Sequence, residues 1–295
     1  MLPAEVVRQA VADRFGPVGS LCRLNEGEEA QVWRFTSKGE DFVVRVSPLG
    51  FDKDRFAHDH WHSTTLPIPE VVALGEVAGL PYCVSRRLPG TTVQEADQPT
   101  LRRITGAVDG VLAALARADL DGTSGYGEFD ADGRGAYGSW QDFLASPDDG
   151  DYPGVDPAAL RELRAALRDL RTGCPETRRL VHGDFGSNNL LTDGRRITAV
   201  LDWDMAAFGD PLYDVANILL WRDWLDCMRI QAEHVEAQPA EDPDTWHRLR
   251  CYQLHSGLAT LNWFATRHDT AMVEDMTTHL LTLIPRPRAS TDGPH

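Results

Sequence analysis

The stretch LVHGDFGSNNLLT, residues 180–192, places one histidine, one aspartate and two asparagines between two apolar pairs. The residues that follow read as a β-hairpin, with LLT, the turn DGRR and ITAVLDWD. This order predicts that His182, Asp184 and Asn189 lie on a loop before one strand, and that Asp202 lies at the end of the next. The four side chains can therefore converge on one cleft. A lone His-x-Asp often only satisfies loop backbone groups, but this longer spacing is far less generic.

Strand-like patterns occupy residues 30–90, upstream of this motif. QVWRF and FVVRV flank the turn residues SKGED, and Phe42, Val44 and Val46 fall on one face of the second segment. A polar, partly helical stretch follows at 52–64, and LPIPEVVALGE and LPYCVSRRLPG read as two further strands. The pattern predicts a strand-rich N-terminal part.

After Gly90 the apolar period changes to that of helices. One predicted helix has its apolar stripe at Leu101, Ile104, Val108, Val111, Leu112 and Leu115. A second has Asp156 as N-cap, Pro157 in its first turn and Gly173 past its end. The Gly- and Asp-rich span 121–154 is predicted to be loop with a short helix at SWQDFL. The C-terminal part is therefore expected to be mainly helical.

The charge of the chain is strongly negative, with 45 acidic against 29 basic residues and a formal net charge of −16. Such a surface repels nucleic acid and anionic lipid and attracts cations. Eleven acidic residues lie between positions 202 and 244, against only Arg222 and Arg229. We expect the negative potential to be concentrated beside the histidine-aspartate motif.

Other classes of protein are excluded by composition. No run approaches the roughly 20 apolar residues of a membrane span, and the start MLPAEVVRQAVADRF is charged where a signal peptide is apolar. The five cysteines are dispersed and form no CxxC pair, which argues against structural zinc and a disulfide framework. We expect a cytoplasmic monomer that binds neither nucleic acid nor membrane.

The motif resembles a known family. HGDFGSNN, LDW and FGDPLYDVANI are similar to segments of the aminoglycoside phosphotransferases, which are small-molecule kinases with the protein-kinase fold. The segments NEGEEAQVWRF, FDKDRF, LPIPEV, YCVSRR, TSGYG and RITAVLDW occur in the same order as in members that act on hygromycin B. The resemblance covers roughly residues 20–230. It implies an α+β, two-lobed, protein-kinase-like fold, with a strand-rich nucleotide-binding N-lobe at 1–88 and a mainly helical catalytic and substrate lobe at 89–284. The composition of PRPRASTDGPH predicts a disordered tail at 285–295.

The resemblance also implies an activity, the transfer of the γ-phosphate of ATP to an aminoglycoside hydroxyl, which would give antibiotic resistance. The implied acceptor is the 4-hydroxyl of hygromycin B, a cationic substrate. Asp184 would accept or orient the hydroxyl proton, while Asn189 and Asp202 would bind Mg²⁺ through hard oxygen ligands. His182 would orient the loop, and two further acids would support it, Asp210 and Asp214.

Nucleotide contacts are expected in the N-lobe. Arg45 stands where most kinases have lysine, and arginine can grip phosphates bidentately. Asp54 is the predicted ion-pair partner of Arg45, and Lys53 is an alternative phosphate contact. Adenine is expected against the linker from Arg86 to Leu88, where it would bond to backbone groups. The segment NEGEEAQV contains one glycine, at position 27, and is by sequence a poor phosphate-binding loop.

Substrate contacts are expected from acidic and aromatic residues, because carboxylates bind ammonium groups and flat rings bind cations. The candidates are Asn188, Asp204, Trp221, Asp223, Trp224 and Asp226. The segment from Trp221 to Glu236 is predicted to form one helix. The helical spacing of Trp221, Leu225 and Met228 fits core packing equally well.

Three other functions remain open at this point. A kinase of the same fold could act on another hydroxylated molecule, such as a macrolide. A metal-dependent hydrolase could use His182, Asp184, Asp202 and Asp204 as ligands, and a kinase-like binding module could lack catalysis. A requirement for ATP with release of ADP separates these functions.

Overall fold

Alternating apolar residues build the N-terminal sheet, as the sequence predicts. In the computed structural model, which describes residues 2–24, 30–239 and 242–284, Phe42, Val44 and Val46 all point into the core. The strands are β1 (Cys22–Arg23), β2 (Gln31–Ser37), β3 (Glu40–Val46), β4 (Val71–Val77) and β5 (Leu80–Arg86). They pair antiparallel in the order β1-β2-β3-β5-β4.

Two helices flank this sheet, α1 (Ala4–Phe15) and α2 (Asp52–Trp61). Val7 and Val11 of α1 pack in a small core with the apolar face of the sheet. Gly27, the one glycine of the segment NEGEEAQV, lies outside the described residues.

Seven shorter strands form two further sheets. They are β6 (Thr91–Thr92), β7 (Tyr126–Phe129), β8 (Gly135–Tyr137), β9 (Arg179–Val181), β10 (Leu190–Thr192), β11 (Ile197–Val200) and β12 (Ala207–Gly209). The predicted hairpin of β10 and β11 is confirmed, and β6 joins it in the order β11-β10-β6. The other sheet has the order β8-β7-β12-β9.

The prediction of loop at 121–154 is partly wrong, because β7 and β8 lie within this span. The strands are short and β7 contains Gly127 in a left-handed conformation, so no apolar alternation marks them. Their connection is a compact turn in which Asp130 Oδ1 accepts the N–H groups of Asp132 and Arg134. The predicted short helix at SWQDFL is confirmed as α4 (Trp140–Ala145).

The C-terminal part is mainly helical, as predicted, so the fold is α+β. Its other helices are α3 (Gln98–Ala116), α5 (Pro157–Arg171), α6 (Leu212–Leu220), α7 (Asp226–Glu236), α8 (Thr245–Thr266) and α9 (Thr270–Leu283). Asp97 and Asp156 cap α3 and α5 through their carboxylates, which stabilises each helix start by about 1 kcal/mol. Within the described ranges, no helix has the length and apolarity needed to cross a membrane.

The single helix predicted from Trp221 to Glu236 is interrupted. The helix α6 ends at Leu220, a 3₁₀ turn spans Trp221–Asp223, and α7 starts at Asp226. Leu225, with φ −128° and ψ 120°, is extended and breaks the helical path. The rings of Trp221 and Trp224 pack edge to face at this corner, with centroids 5.7 Å apart.

The residues that the structure describes form two separate hydrophobic cores. The smaller core joins α1 to the five-stranded sheet, and the larger one fills the helical part. Ala57, Trp61, Leu66 and Ile68 precede position 88 but belong to the larger core. The division into lobes at residue 88 stays a prediction, and the predicted disordered tail at 285–295 lies outside the described residues.

Candidate active site

Leu201 joins the two halves of the site. Its N–H donates to the carbonyl of Asn189 at 2.8 Å, and its own carbonyl accepts from His182 Nε2 at 2.9 Å. The imidazole is fully buried and must carry its proton on Nε2 to make this bond. Two backbone bonds therefore hold Asp202, the next residue, against the loop 182–189, and His182 has the orienting position expected for it.

A buried carboxylate fixes the start of the loop. Asp214, on α6, accepts the N–H groups of His182 and Gly183, each at 2.9 Å. Burial raises the pKa of Asp214 to about 6, although His182 and the two backbone N–H groups lower it. The prediction that Asp214 supports the loop is confirmed.

The matching prediction for Asp210 is wrong. Its buried carboxylate pairs with Arg248 of α8 at 2.6 Å and accepts from the Tyr252 hydroxyl at 2.7 Å. Asp210 also accepts the N–H of Leu212 at 3.1 Å. It therefore ties the start of α6 to α8, and the partner on α8 lies too far along the chain for the motif to reveal it.

Asp184 and Asn189 are in direct contact. The amide nitrogen of Asn189 donates to Asp184 Oδ2 at 2.8 Å and to the Asp184 carbonyl at 2.9 Å. Asn189 is buried, whereas Asp184 and Asn188 are exposed. Because the amide nitrogen makes both bonds, the amide oxygen of Asn189 takes no part in the contact with Asp184.

Asp202 adopts a left-handed conformation, with φ +61°. Its side chain is 56% exposed and lies 3.9 Å from the guanidinium of Arg45. Trp203 beside it is fully buried and donates Nε1–H to the Val200 carbonyl at 3.3 Å. The buried tryptophan anchors the turn while the carboxylate faces outward.

The described part of the chain forms no hydrolase-type metal cluster. No group of three or more His, Cys, Asp or Glu side chains in the described ranges is placed to hold a metal. Asn189 and Asp202 instead offer two oxygen ligands, which fits Mg²⁺ because that ion keeps several waters and binds phosphate oxygens. The donor set thus fits a nucleotide-bound magnesium and does not fit the four-ligand alternative.

The predicted ion pair between Arg45 of β3 and Asp54 of α2 is present. Both side chains are mostly buried, with 17% and 11% of their surface exposed. Burial raises the pKa of Asp54, and the Arg45 charge opposes that shift. Arg45 is therefore the partner that favours the ionised form of this buried carboxyl.

Lys53 contacts the turn that follows Asp202, and its expected contact with the nucleotide phosphates stays a prediction. Its ammonium donates to the carbonyl of Asp204 and lies 4.8 Å from the centre of the Phe129 ring. Burial lowers the pKa of Lys53, and Glu128 and Asp204 oppose this. The contact with the Asp204 backbone makes Arg45 the better placed of the two expected phosphate contacts.

Two backbone N–H groups of the linker from Arg86 to Leu88 already form hydrogen bonds to other parts of the protein. The N–H groups of Arg86 and Arg87 donate to the carbonyls of Glu70 and Asp41, at 2.9 and 3.0 Å. The Arg86 side chain bridges Glu70 at 2.6 Å and Glu40 at 2.7 Å. These bonds attach Arg86 to the sheet. The next linker residue with an N–H that could donate to a nucleotide base is Leu88.

The acidic residues near the two tryptophans have partners that the sequence did not indicate. Asp223 lies 3.3 Å from His279, and Asp226 lies 2.8 Å from Arg229. Glu233 and Glu236 pair with arginines as well. The local negative potential is therefore weaker than the residue count implies. Trp221 and Trp224 are partly buried against the larger core, in agreement with the packing interpretation.

Sequence reasoning missed two polar residues beside the site. Glu128 stands opposite Ala207 in the pairing of β7 with β12, and Lys53 and Asp204 act on its pKa, which burial raises. Gln94 accepts a hydrogen bond from Ser187 at 2.7 Å. Recognition of β7 as a strand would have pointed to Glu128, whereas no local signal marks Gln94.

Comparison with known proteins agrees with this geometry. Residues 20–252 match the phosphotransferase enzyme family, APH. Hygromycin-B 4-O-kinase of Escherichia coli is 42% identical over 270 residues, which are 88% of this chain and 79% of that protein. The crystal structure of aminoglycoside phosphotransferase APH(4)-Ia superposes with a TM-score of 0.90 at 38% identity, over 96% of this chain and 98% of that one.

A second solved structure holds ligands. A thermostable mutant of APH(4)-Ia, in a ternary complex with ADP and hygromycin B, matches with a TM-score of 0.89 at 39% identity, over 94% of this chain and 97% of that one. The match over most of the chain, together with the assembled Asp184, Asn189 and Asp202, identifies this chain as a member of the APH phosphotransferase enzyme family.

Proposed function

We propose that this chain transfers the γ-phosphate of ATP to the 4-hydroxyl of hygromycin B and thereby confers resistance to the antibiotic. The observation on which this rests is the contact of Asp184 with Asn189, next to Asp202, in a chain 42% identical to hygromycin-B 4-O-kinase. We infer that the protein is a cytoplasmic monomer. We also infer that it binds no nucleic acid or anionic membrane surface, since its net charge of −16 repels both.

Asp184 is the proposed catalytic residue. Phosphoryl transfer needs the acceptor hydroxyl aligned with the γ-phosphate, and little covalent chemistry from the protein. The Asn189 amide donates to Asp184 Oδ2, and we assign the other carboxylate oxygen to the acceptor hydroxyl. Asp184 then orients the 4-hydroxyl and accepts its proton as the phosphate is transferred.

Asn189 and Asp202 are the proposed magnesium ligands. When bound with the nucleotide, Mg²⁺ neutralises charge on the phosphate oxygens. Leu201 links the two ligands, because its N–H donates to the Asn189 carbonyl and Asp202 follows it directly. This backbone bond holds the two proposed oxygen ligands at a fixed separation, without further metal ligands from the protein.

Nucleotide binding is assigned to the N-terminal sheet and the linker. Arg45 lies 3.9 Å from Asp202 and can approach the phosphates, held by Asp54. Adenine is placed against the linker at Leu88, whose N–H is the proposed donor to the base. Arg86 supports the linker through Glu40 and Glu70 and does not itself bond to the base.

Antibiotic binding is assigned to the opposite wall of the cleft. Asn188 is exposed next to Asn189, and Asp204 follows the turn at Asp202. Asp223 and Asp226 are exposed carboxylates at the corner formed by Trp221 and Trp224, and their ion pairs can exchange for ammonium groups of the substrate. Exposed ion pairs contribute only about 0–1 kcal/mol, so such an exchange is inexpensive.

The test is an assay of purified protein with ATP, Mg²⁺ and a panel of antibiotics. We expect ADP release with hygromycin B, a product phosphorylated on the 4-hydroxyl, and growth of expressing cells on the antibiotic. The variant Asp184→Ala is the control for contaminating kinases. Faster phosphorylation of a neutral macrolide, or no ADP release with hygromycin B, would overturn the proposal.

A further inference from the structure

The turn after β11 is held from both sides of Asp202. Asp202 has φ +61°, a left-handed conformation that few residues with a side chain adopt. Such a residue keeps its conformation only where its surroundings impose it. The bonds of Leu201 to His182 and Asn189 fix the chain before Asp202.

Lys53 fixes the chain after Asp202. Its ammonium donates to the carbonyl of Asp204 across a sequence separation of 151 residues. The Phe129 ring lies 4.8 Å from the same ammonium, at cation-π distance. Glu128 raises the pKa of Lys53 against the effect of burial. Phe129 also donates its N–H to the Ala206 carbonyl at 3.4 Å. The strand β7, which ends at Phe129, therefore contacts both Lys53 and the turn after Asp202.

Lys53 is adjacent to Asp54 on α2, and the two residues serve different partners. Asp54 holds Arg45, while Lys53 holds the backbone two residues beyond Asp202. One helical turn thus sets the positions of the proposed phosphate contact and of a proposed metal ligand. A lysine at the phosphates would instead have its ammonium directed into the cleft.

We propose that Lys53 is a positioning residue, whose ammonium clamps the Asp204 carbonyl and so holds the Asp202 carboxylate where Mg²⁺ binds. The inference rests on the proposed function only in taking Asp202 as a magnesium ligand. It assigns to Lys53 no contact with the nucleotide phosphates, and it explains why a half-buried lysine stands beside Phe129 and Glu128.

The experiment measures binding of AMP-PNP by calorimetry, with and without Mg²⁺, to the full chain. The variants are Lys53→Met and Lys53→Arg, and the matched control is Lys38→Met, since the sequence has two lysines and Lys38 lies exposed in the β2–β3 turn. We expect Lys53→Met to reduce the gain in affinity from Mg²⁺ by about tenfold and to leave the magnesium-free affinity within about twofold. Lys53→Arg, which keeps the charge, should restore most of the gain.

Other outcomes overturn the inference. A loss of magnesium-free affinity in Lys53→Met, with the effect of Mg²⁺ unchanged, would make Lys53 a phosphate contact. No change in either affinity would remove it from the site. If Lys53→Met fails to fold, Lys53→Gln provides the same test. No antibiotic is present, so a failure of the chain to phosphorylate hygromycin B would overturn the proposed function and leave this inference standing.

Discussion

Asp214 accepts the backbone N–H of His182 at 2.9 Å, from a position 32 residues further along the chain. The same carboxylate accepts the N–H of Gly183 through its other oxygen. A charged acceptor strengthens both bonds, which are of the kind worth about 1.5–3 kcal/mol each. The geometry of the loop that ends at Asn189 therefore depends on the ionisation of a residue that the substrate does not touch.

We expect turnover to fall as the pH drops through about 6. The pKa of Asp214 is raised to about 6 by burial, so its charge is present above that pH and is lost below it. Protonation removes an acceptor from the loop. Asp214→Asn should lower kcat at pH 8 by about tenfold and flatten the acid limb of the kcat profile. An unchanged acid limb in the variant would assign that limb to another group.

Asp184→Ala should lower kcat by about 100-fold or more, because the acceptor hydroxyl loses its orienting base. Nucleotide affinity should remain, since the carboxylate faces the acceptor side. Steady-state kinetics and ADP titration give the two quantities. Asp59→Ala, an exposed acid on α2, is the control. Turnover of Asp184→Ala near that of the control would remove Asp184 from catalysis.

Asn189→Ala and Asp202→Ala should each raise the Mg²⁺ concentration needed for half-maximal rate. The first variant should also lower kcat at saturating Mg²⁺, because Asp184 Oδ2 loses its donor. The second should show the larger metal effect, since a charged ligand is removed. Magnesium titrations of the rate measure both effects, and identical titration curves for variants and parent would contradict the ligand assignment.

Arg45→Ala should raise the KM for ATP by about tenfold while the KM for hygromycin B stays within about twofold. Loss of the guanidinium leaves Asp54 buried without its partner, so we expect the pKa of Asp54 to rise further. Arg45→Lys should recover part of the ATP affinity, because an ammonium keeps the positive charge but cannot bind a phosphate bidentately. Equal effects on both substrates would indicate general disruption of the sheet.

Arg248→Met should lower the free energy of unfolding by about 3 kcal/mol, because it leaves the Asp210 carboxylate buried and unpaired. Arg250→Met, two residues along the same helix and exposed, should change stability by less than about 0.5 kcal/mol. Thermal and urea unfolding compare the two variants. Similar stabilities would show that Tyr252 and Leu212 satisfy Asp210 without the arginine.

Elements with a local signal were predictable from the sequence. The caps at Asp97 and Asp156 and the alternation in β3 depend on neighbours within four residues. The loop between His182 and Asn189 was also identifiable, because the residues that orient the loop and the proposed catalytic residue stand at fixed separations within eight positions. These features need no knowledge of the rest of the chain.

Contacts between distant segments were not predictable. Arg248 neutralises Asp210 from α8, and Lys53 reaches Asp204 over 151 residues. The break at Leu225 has no proline or glycine to mark it and follows from the corner packing of the tryptophans. The strand pairing of Glu128 depends on β12, whose three residues are too short for a pattern.

The two members of the Arg45–Asp54 ion pair belong to elements that pack in different cores. Ala57 and Trp61 of α2, the helix that carries Asp54, are part of the larger core. Phe42, Val44 and Val46 of β3, the strand that carries Arg45, are part of the smaller core. The mostly buried pair therefore joins the two cores, and any shift of one core against the other would have to stretch or break it.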